Sequence, residues 1–227
     1  SAAGFVGGAL QFSRIEFKNC INKGNITLTP KGGNSTTTSK PGNEKMPSVA
    51  GLMGIGVHCS FKFENCVNTG NMWITTDEYT GNIYAAGLLG SAQGNGNVEV
   101  KNSVNTGNMN IHTDYEYAQH RFRVGGLVGM GGKTGDIQNC INLGEITHTT
   151  TNTTAQTGGN ARAAGIIADV GGSGAYTVNN CINTGDVIFS ANYNQPVGGV
   201  VGYINNGTAT NLVNLGRVES KSTNLVL

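Results

Sequence analysis

Charged side chains are scarce in this sequence: Asp, Glu, Lys and Arg make up 12% of the 227 residues, about half the usual share. The net charge is +1, and the few Lys and Arg are scattered, which argues against a nucleic-acid-binding surface. No apolar run approaches the ~20 residues that span a bilayer, so we expect no membrane-spanning segment. What the chain does have is glycine, 36 residues. Together these features favour a turn-rich β architecture.

Two short motifs recur along the chain. The first, Asn-Cys-apolar-Asn-x-Gly, occurs at 19–24, 65–70, 102–107, 139–144, 180–185 and 211–216, with Ser or Leu replacing Cys in the third and sixth copies. The second, Gly-apolar-apolar-Gly, occurs at 4–7, 51–54, 87–90, 126–129, 165–168 and 199–202, the fifth copy ending in Ala168. Each copy of the second motif begins 12 to 15 residues before a copy of the first. Such self-similarity is the mark of a repeat protein.

The spacing defines one repeat domain covering residues 1–227. Its six units lie approximately at 4–50, 51–86, 87–125, 126–164, 165–198 and 199–227. Most of the variation in unit length falls between the Asn-x-Gly turn and the next Gly-apolar-apolar-Gly, which indicates a fixed frame with one variable loop per unit. Because the chain starts within the repeat and lacks an initiator Met, we expect a mature chain or a fragment of a longer one.

Three short strands are predicted in each unit. They are the Gly-apolar-apolar-Gly segment, the alternating segment before the motif Asn, and the segment after the turn. One unit cannot bury its apolar face, whereas stacked units can. We therefore predict an all-β fold, a β-solenoid (parallel β-helix) of six coils with about three short strands per coil; a globular sandwich is the alternative. The predicted core ladder, which faces the inside of the coil, is Phe17, Phe63, Val100, Ile137, Val178 and Ala209.

The first motif Asn should lie at a corner of every coil, because Asn tolerates left-handed backbone angles. This predicts a structural ladder of Asn19, Asn65, Asn102, Asn139, Asn180 and Asn211. The next position, Cys in four units, should point into the coil, where Cys behaves as a small hydrophobe. Cys20 and Cys66 would lie on neighbouring coils, within reach of a disulfide, so a bridge between them stays open.

The two motifs resemble the GLUG repeat, found in large bacterial cell-surface and secreted proteins that include IgA-cleaving metallopeptidases and adhesin-like proteins of gut bacteria. The resemblance covers nearly the whole chain. It implies a β-solenoid in an extracellular setting with a stalk or adhesion role, secreted or at the cell surface, with flanking domains in the same chain. It carries over no catalytic residue, since the His-Glu-x-x-His zinc motif of those peptidases does not occur here.

The variable loops hold acidic and aromatic residues at matching positions. These form a candidate binding ridge: Asp77, Glu78, Tyr79, Asp114, Tyr115, Glu116, Tyr117 and Tyr193. Tyrosine rings beside carboxylates can stack on a sugar while directing hydrogen bonds to it. The other interpretation is that these rings only cover the loop ends. If the ridge binds, its partner is a host or microbial glycan, or a matrix or surface protein.

No combination of residues indicates an enzyme, a metal site or a cofactor. The cysteines show no Cys-x-x-Cys spacing, and no two histidines have helical metal-ligand spacing. We therefore expect a non-catalytic adhesion or glycan/protein-binding module. A structural stalk presenting another domain is the first alternative. A polysaccharide-active β-helix enzyme is the second, since acids on adjacent coils could reach the carboxylate separation that glycoside hydrolysis needs.

Overall fold

A computed structural model describes residues 1–11, 13–30, 47–76, 82–114, 121–151, 160–170, 172–190 and 196–221. These residues form strands and no helix, and they are arranged as six successive coils of five strands each. The chain is thus a parallel β-solenoid, as the repeat predicts.

The strand bounds are as follows. Coil 1 holds β1 (Ala2–Ala3), β2 (Val6–Leu10), β3 (Arg14–Lys18), β4 (Ile21–Asn22) and β5 (Ile26–Leu28). Coil 2 holds β6 (Ser48–Ala50), β7 (Met53–Val57), β8 (Ser60–Glu64), β9 (Val67–Asn68) and β10 (Met72–Thr76). Coil 3 holds β11 (Ile83–Ala86), β12 (Leu89–Gln93), β13 (Asn97–Lys101), β14 (Val104–Asn105) and β15 (Met109–Thr113).

The second half of the solenoid continues the same pattern. Coil 4 holds β16 (Arg121–Gly125), β17 (Val128–Met130), β18 (Thr134–Gln138), β19 (Ile141–Asn142) and β20 (Ile146–Thr150). Coil 5 holds β21 (Asn160–Ala164), β22 (Ile167–Val170), β23 (Tyr176–Asn179), β24 (Ile182–Asn183) and β25 (Val187–Ser190). Coil 6 holds β26 (Val197–Gly198), β27 (Val201–Ile204), β28 (Gly207–Thr210), β29 (Val213–Asn214) and β30 (Val218–Lys221).

Equivalent strands of the six coils pair in parallel and form five sheets, here called A to E in the order in which each coil enters them. The register confirms the predicted core ladder. Phe17 pairs with Phe63, and the pairing continues along sheet C through the remaining ladder positions to Ala209. The rings of Phe17 and Phe63 stack at a centroid distance of 5.0 Å.

The coil has five strands where the sequence analysis predicts about three. Sheet A was missed in part because strands such as 83–86 are buried on both faces and show no alternation between apolar and polar residues. The segment 121–124 does alternate, so this strand was open to prediction. Sheet D was missed because each of its strands has only two residues. The Gly-apolar-apolar-Gly motif is also divided: its first two residues form the bend between sheets A and B, and its second apolar residue starts the strand of sheet B.

Two apolar cores lie side by side within the coil. One lies between sheets A and E and includes Ile74, Val124 and Phe189. The other is lined mainly by sheets B and C and includes Leu89 and Phe63. Sheet A therefore has sheet E on one face and sheet B on the other.

Glycine at the A-to-B bend permits close approach between coils. A Cβ atom at Gly51 would collide with the carbonyl oxygen of Gly87 in the next coil and with the side chain of Asn68. Equivalent glycines occupy this position in every coil. This contact links the two motifs, because Asn68 belongs to the first motif and Gly51 to the second. No helix among the described residues could cross a membrane.

Candidate binding surface

Asp114 is the member of the candidate ridge that the structure describes. It is exposed directly after β15, and its Oδ1 lies 2.8 Å from Nε2 of His112. The other seven ridge residues, Asp77, Glu78, Tyr79, Tyr115, Glu116, Tyr117 and Tyr193, lie outside the described residues. In the sequence they follow β10, β15 and β25, which are strands of sheet E.

The outer face of sheet E leads up to these loops and carries two ladders of side chains. The ladder nearer the start of the strands contains Thr27, Trp73, Asn110, Thr147 and Ile188. The ladder nearer the loops contains Thr75, His112 and Thr149. Both point outward because Met72 and Ile74 face the core, and side chains alternate along a strand. Through coils 1 to 5 these two ladders carry no carboxylate and no Lys or Arg.

Trp73 is the only tryptophan of the chain, and 39% of its surface is exposed. Its neighbours across the sheet are Thr27 and Asn110. A half-exposed indole on a pleated strand face offers a flat apolar surface with hydrogen-bonding groups on either side. The sequence analysis did not single out this residue. Its exposure could have been predicted, because Trp73 lies between the inward-facing Met72 and Ile74 in a segment where apolar side chains alternate between the two faces.

His112 is held in place by both ring nitrogens. Nε2 faces the Asp114 carboxylate, and Nδ1 lies 2.9 Å from Oγ1 of Thr149. Because the carboxylate only accepts, Nε2 is the donor in the pair with Asp114. Oγ1 of Thr151 lies 3.4 Å from Asp114 Oδ1. The polar groups next to the loops are therefore ordered by one another.

The outer face of sheet C differs, because it carries charges of alternating sign. Lys62 lies 3.1 Å from Glu64, and Lys18 lies 3.7 Å from the same carboxylate. The hydrogen bond from Lys62 lowers the pKa of Glu64 and raises the pKa of Lys62. Lys101 pairs with Asp136 at 3.1 Å. Most charges of this face are thus neutralised by neighbours one coil or two residues away.

A groove of about 500 Å³ opens at the sheet B to sheet C end of the first three coils. Arg14, Ser60, Lys62, Asn97 and Glu99 are among the residues that line it. Its polar groups already have protein partners: Asn97 Nδ2 donates to Glu99 at 3.0 Å, and Ser60 Oγ accepts the Asn97 N–H at 3.2 Å. The groove therefore offers a ligand fewer free hydrogen-bonding groups than its polar lining suggests.

A buried ionic cluster joins sheets A and B in coils 4 and 5. Arg123 and Arg162 both donate to the carboxylate of Asp169. Arg123 also donates to the carbonyl oxygens of Phe122 at 2.9 Å and Asn160 at 2.5 Å. Burial lowers the pKa of Arg123, and the charge of Asp169 opposes this shift. Since Asp169 is almost fully buried, the cluster connects the two sheets rather than meeting a ligand.

Each asparagine of the Asn-Cys-apolar-Asn-x-Gly motif forms a ladder along the solenoid. At the corner between sheets C and D, Asn19, Asn65, Asn102, Asn139, Asn180 and Asn211 all have positive φ, between 51° and 54°. Their side chains are exposed, and in the first five coils neighbouring corner side chains contact each other at 3.1 to 3.4 Å. We call this the corner ladder.

The second asparagine of the motif forms an inner ladder that the sequence analysis missed. Its members are Asn22, Asn68, Asn105, Asn142, Asn183 and Asn214. In the first five coils, Nδ2 donates to the Oδ1 of the next coil at 2.7 to 2.8 Å. The same nitrogen donates to the carbonyl of the glycine two residues on. Four members are fully buried, so these amides replace water as hydrogen-bond partners inside the coil.

The cysteine ladder lies inside the second core. Cys66, Cys140 and Cys181 are fully buried, Cys20 is partly buried, and all five cysteines are free thiols. Burial raises the pKa of the Cys66 thiol, which disfavours the reactive thiolate. Within the described part of the chain, no group of three or more His, Cys, Asp or Glu could hold a metal ion.

Comparison with known proteins gives no relative: no family model, no curated protein and no solved structure matches this chain.

Proposed function

We propose that this chain is a non-catalytic adhesion module, secreted or exposed at a bacterial cell surface, that binds glycan through the outer face of sheet E. The observation that carries the proposal is the half-exposed Trp73 on an uncharged strand face. The face leads directly into the loops of the candidate ridge. The resemblance of the two motifs to the GLUG repeat supports the extracellular setting and the adhesion role.

The chemistry of this face suits a neutral saccharide. The indole of Trp73 can stack against the apolar C–H face of a sugar ring, and the hydroxyls and amides of Thr27, Asn110 and Thr149 can pair with sugar hydroxyls. A charged ligand would find little complementary charge, because Asp114 is already engaged by His112. The ladders of sheet E repeat at ~4.8 Å per coil, so an extended chain of sugars could contact several coils.

A glycan microarray probed with the purified chain tests the proposal. The glycan that binds most tightly is then titrated into the wild type, Trp73→Ala and Leu143→Ala. Leu143 is the matched control, because it is an exposed apolar residue that lies in the turn after β19 and not on the outer face of sheet E. We expect Trp73→Ala to weaken binding at least about tenfold, Leu143→Ala to bind like the wild type, and both variants to melt like the wild type.

The ridge loops are tested separately by replacing Tyr79, Tyr115 and Tyr117 together with Ala. Loss of binding in this variant as well as in Trp73→Ala would make the loops and the sheet E face one site. Normal binding in Trp73→Ala would move the site away from sheet E. A protein ligand, rather than a glycan, would be indicated if only matrix proteins bound.

The structural stalk is the alternative if neither glycans nor matrix proteins bind. The enzyme alternative has one observation of its own: Glu99 and Asp136 are paired in register on neighbouring coils of sheet C. Each is held by a neighbour, Asn97 for Glu99 and Lys101 for Asp136. Release of reducing ends from polysaccharide, lost in Glu99→Gln, would contradict a non-catalytic module.

A further inference from the structure

The cysteine ladder is interrupted so that its members form two pairs. Along the six coils this position is occupied by Cys20, Cys66, Ser103, Cys140, Cys181 and Leu212. Two cysteines lie on coils 1 and 2, two lie on coils 4 and 5, and Ser103 separates them. Within these six coils, each cysteine of the ladder therefore has one cysteine neighbour. The pair of Cys140 and Cys181 has no competitor on either side, since Ser103 and Leu212 flank it.

The two pairs span the longest intervals of the repeat. Equivalent residues are 46 positions apart between coils 1 and 2, and 41 positions apart between coils 4 and 5. The other intervals are 37, 37 and 31 positions. Closing a longer loop costs more chain entropy, and a cross-link between the ends of the loop removes part of this cost from folding. The cysteine pairs thus occur where a cross-link would stabilise the fold most.

The backbones of each pair lie at the distance that a disulfide requires. Val67 N–H donates to the Cys20 carbonyl at 2.9 Å, and Ile182 N–H donates to the Cys140 carbonyl at 2.9 Å. In-register residues of neighbouring strands are ~4.8 Å apart, within the range of about 4.4–6.8 Å between the Cα atoms of a disulfide. Cys66 and Cys140 are two coils apart, roughly 10 Å, which is too far for a bridge.

The second cysteine of each pair directs its sulfur toward the coil that holds the first. Cys66 Sγ lies 3.3 Å from the carbonyl oxygen of Phe17 in coil 1, and Cys181 Sγ lies 3.8 Å from that of Ile137 in coil 4. A thiol is a weak donor, so giving up these contacts costs little. The hydrogen bond between the Cys140 and Cys181 thiols lowers the pKa of Cys181 and raises the pKa of Cys140. Cys181 is therefore the better thiolate of its pair.

Cys59 is the one cysteine outside the ladder, and it has no such neighbour. It precedes β8, and the register places Ser13 and Gly96 beside it on the two adjacent coils. Its side chain is fully buried, so it cannot reach another chain. The odd number of cysteines is thus explained by two pairs and one isolated thiol.

We propose that Cys140 with Cys181, and Cys20 with Cys66, are oxidation sites at which a small-molecule disulfide such as oxidised glutathione closes a bridge between neighbouring coils. The proposal rests on the extracellular setting of the proposed function, where disulfides persist. Because Cys140 and Cys181 are fully buried in the folded chain, the reaction precedes the packing of their coils or accompanies a transient opening.

The reaction is a two-step thiol–disulfide exchange. The Cys181 thiolate attacks one sulfur of the oxidant, a mixed disulfide forms, and the other half of the oxidant leaves as a thiolate. Cys140 then loses its proton and attacks Sγ of Cys181, which expels the second half. The two cysteines lose two electrons and two protons, and the oxidant is reduced to two thiols. Cys20 and Cys66 react in the same way.

Thiol titration of the denatured chain measures the outcome. One sample is folded in a buffer of oxidised and reduced glutathione, and a control is kept fully reduced throughout. The control should titrate all five thiols, whereas the oxidised sample should titrate one, that of Cys59. Trypsin places each of the five cysteines in a different peptide. After alkylation of free thiols, mass spectrometry should therefore find peptide 134–162 linked to peptide 163–217.

Two serine variants sharpen this measurement. Serine is accommodated in the ladder, since Ser103 Oγ donates to the Lys101 carbonyl at 2.8 Å. Oxidised Cys140→Ser should titrate two thiols and lose the link between the two peptides, whereas oxidised Cys59→Ser, the matched control, should titrate none. Reduction should lower the melting temperature of the oxidised wild type by several degrees, and should leave that of Cys20→Ser/Cys140→Ser unchanged.

Five thiols in the oxidised wild type, or a link that involves Cys59, would overturn the inference, and neither result depends on the folding of a variant. The glycan experiment is independent of this one. A chain that binds glycan but keeps five thiols would overturn this inference alone. A bridged chain that binds no glycan would support it and contradict the proposed function.

Discussion

The corner ladder and the inner ladder use the same residue type, three positions apart in the same motif, for different purposes. In the inner ladder, Asn105 is fully buried, and its Nδ2 donates to Asn142 at 2.8 Å and to Gly107 at 2.9 Å. In the corner ladder, Asn102 is exposed, its Nδ2 contacts Asn65 at 3.4 Å, and its φ is 51°. The inner asparagine is needed for its hydrogen bonds, whereas the corner asparagine is needed for its backbone conformation.

This difference shows that burial, rather than recurrence in the motif, decides what a repeated residue contributes to the fold. Inside the coil every position is constrained by the coil before and the coil after. Outside, the faces of sheets C and E diverge although they belong to the same repeat: one is a charge ladder and the other an uncharged face with Trp73. A binding function therefore belongs to the exterior, where the frame does not dictate the residue.

The largest effect is expected from Asn105→Leu, which removes the amide but keeps a similar volume. It leaves the Asn68 amide, the Asn142 oxygen and the Gly107 carbonyl short of a buried partner. Since each unpaired buried group costs about 1–3 kcal/mol, we expect a loss of about 3–5 kcal/mol in the free energy of unfolding. Urea unfolding measures it.

The matched control is Asn214→Leu, at the exposed end of the same ladder. It should cost much less than Asn105→Leu, because water can replace the lost partner. Equal losses at the two positions would show that position in the motif, and not burial, sets the energy of the ladder.

The next effect concerns His148, a fully buried residue of the first core whose ring is only partly hydrogen-bonded. Nε2 lies 3.1 Å from Thr113 Oγ1, Nδ1 has no hydrogen-bond partner among the described residues, and the ring stacks on Phe189 at 4.3 Å. Burial lowers the pKa of His148 to about 3, against about 6.5 in an unfolded chain. Between these values the unfolded chain binds the extra proton, so stability is complete above pH 6.5 and declines as the pH falls.

We expect His148 to contribute a loss of about 2 kcal/mol in unfolding free energy between pH 6.5 and 4.5. Comparing the wild type with His148→Phe isolates this contribution, because carboxylates contribute equally to both. The variant loses the bond to Thr113, so its absolute stability at pH 7 is not the readout. Parallel pH profiles for the two proteins would mean that His148 is not neutral and buried in the folded state.

A smaller effect is expected at the corner. Asn102→Ala places a Cβ-bearing residue without local hydrogen bonding in the left-handed region, at a cost of about 1–2 kcal/mol. Asn102→Gly removes that strain and should cost clearly less. Thermal or urea unfolding of the pair measures the difference. If Gly is as destabilising as Ala, the side-chain contacts of the corner ladder, and not its φ, stabilise the bend.

The sequence predicted the parts of the fold that alternate or recur. The Phe17 to Ala209 ladder follows from period two, and the six coils follow from the six paired copies of the two motifs. Sheet A could not be predicted in this way at Ile83–Ala86, because this strand is buried on both faces and does not alternate. The orientation of Ile21 depends on the positive φ of Asn19, which turns Cys20 inward and leaves Ile21 outside.

The candidate site was predictable only in part. The tyrosines and acids of the variable loops predict a binding ridge, and most of those residues lie outside the described part of the chain. The face beneath them depends on Trp73 and His112, which share one side of sheet E only once the register between coils is known. The sequence pattern of a single unit does not show how its strands align with those of the next coil. Likewise Arg123 and Asp169 meet across two sheets, 46 residues apart.

The smallest effect is expected on the outer face of sheet C, where Lys101 pairs with Asp136 at 3.1 Å and both side chains remain about one-third exposed. Exposed pairs contribute about 0.2–1 kcal/mol, so Lys101→Gln should change the unfolding free energy by less than about 1 kcal/mol. The change should shrink at high salt, which screens exposed charges. Because this face neutralises itself, the same variant should bind glycan like the wild type, while Trp73→Ala should not. If Lys101→Gln weakened binding as much as Trp73→Ala, the ligand would contact the charge ladder, and the division of roles between the two faces would be wrong.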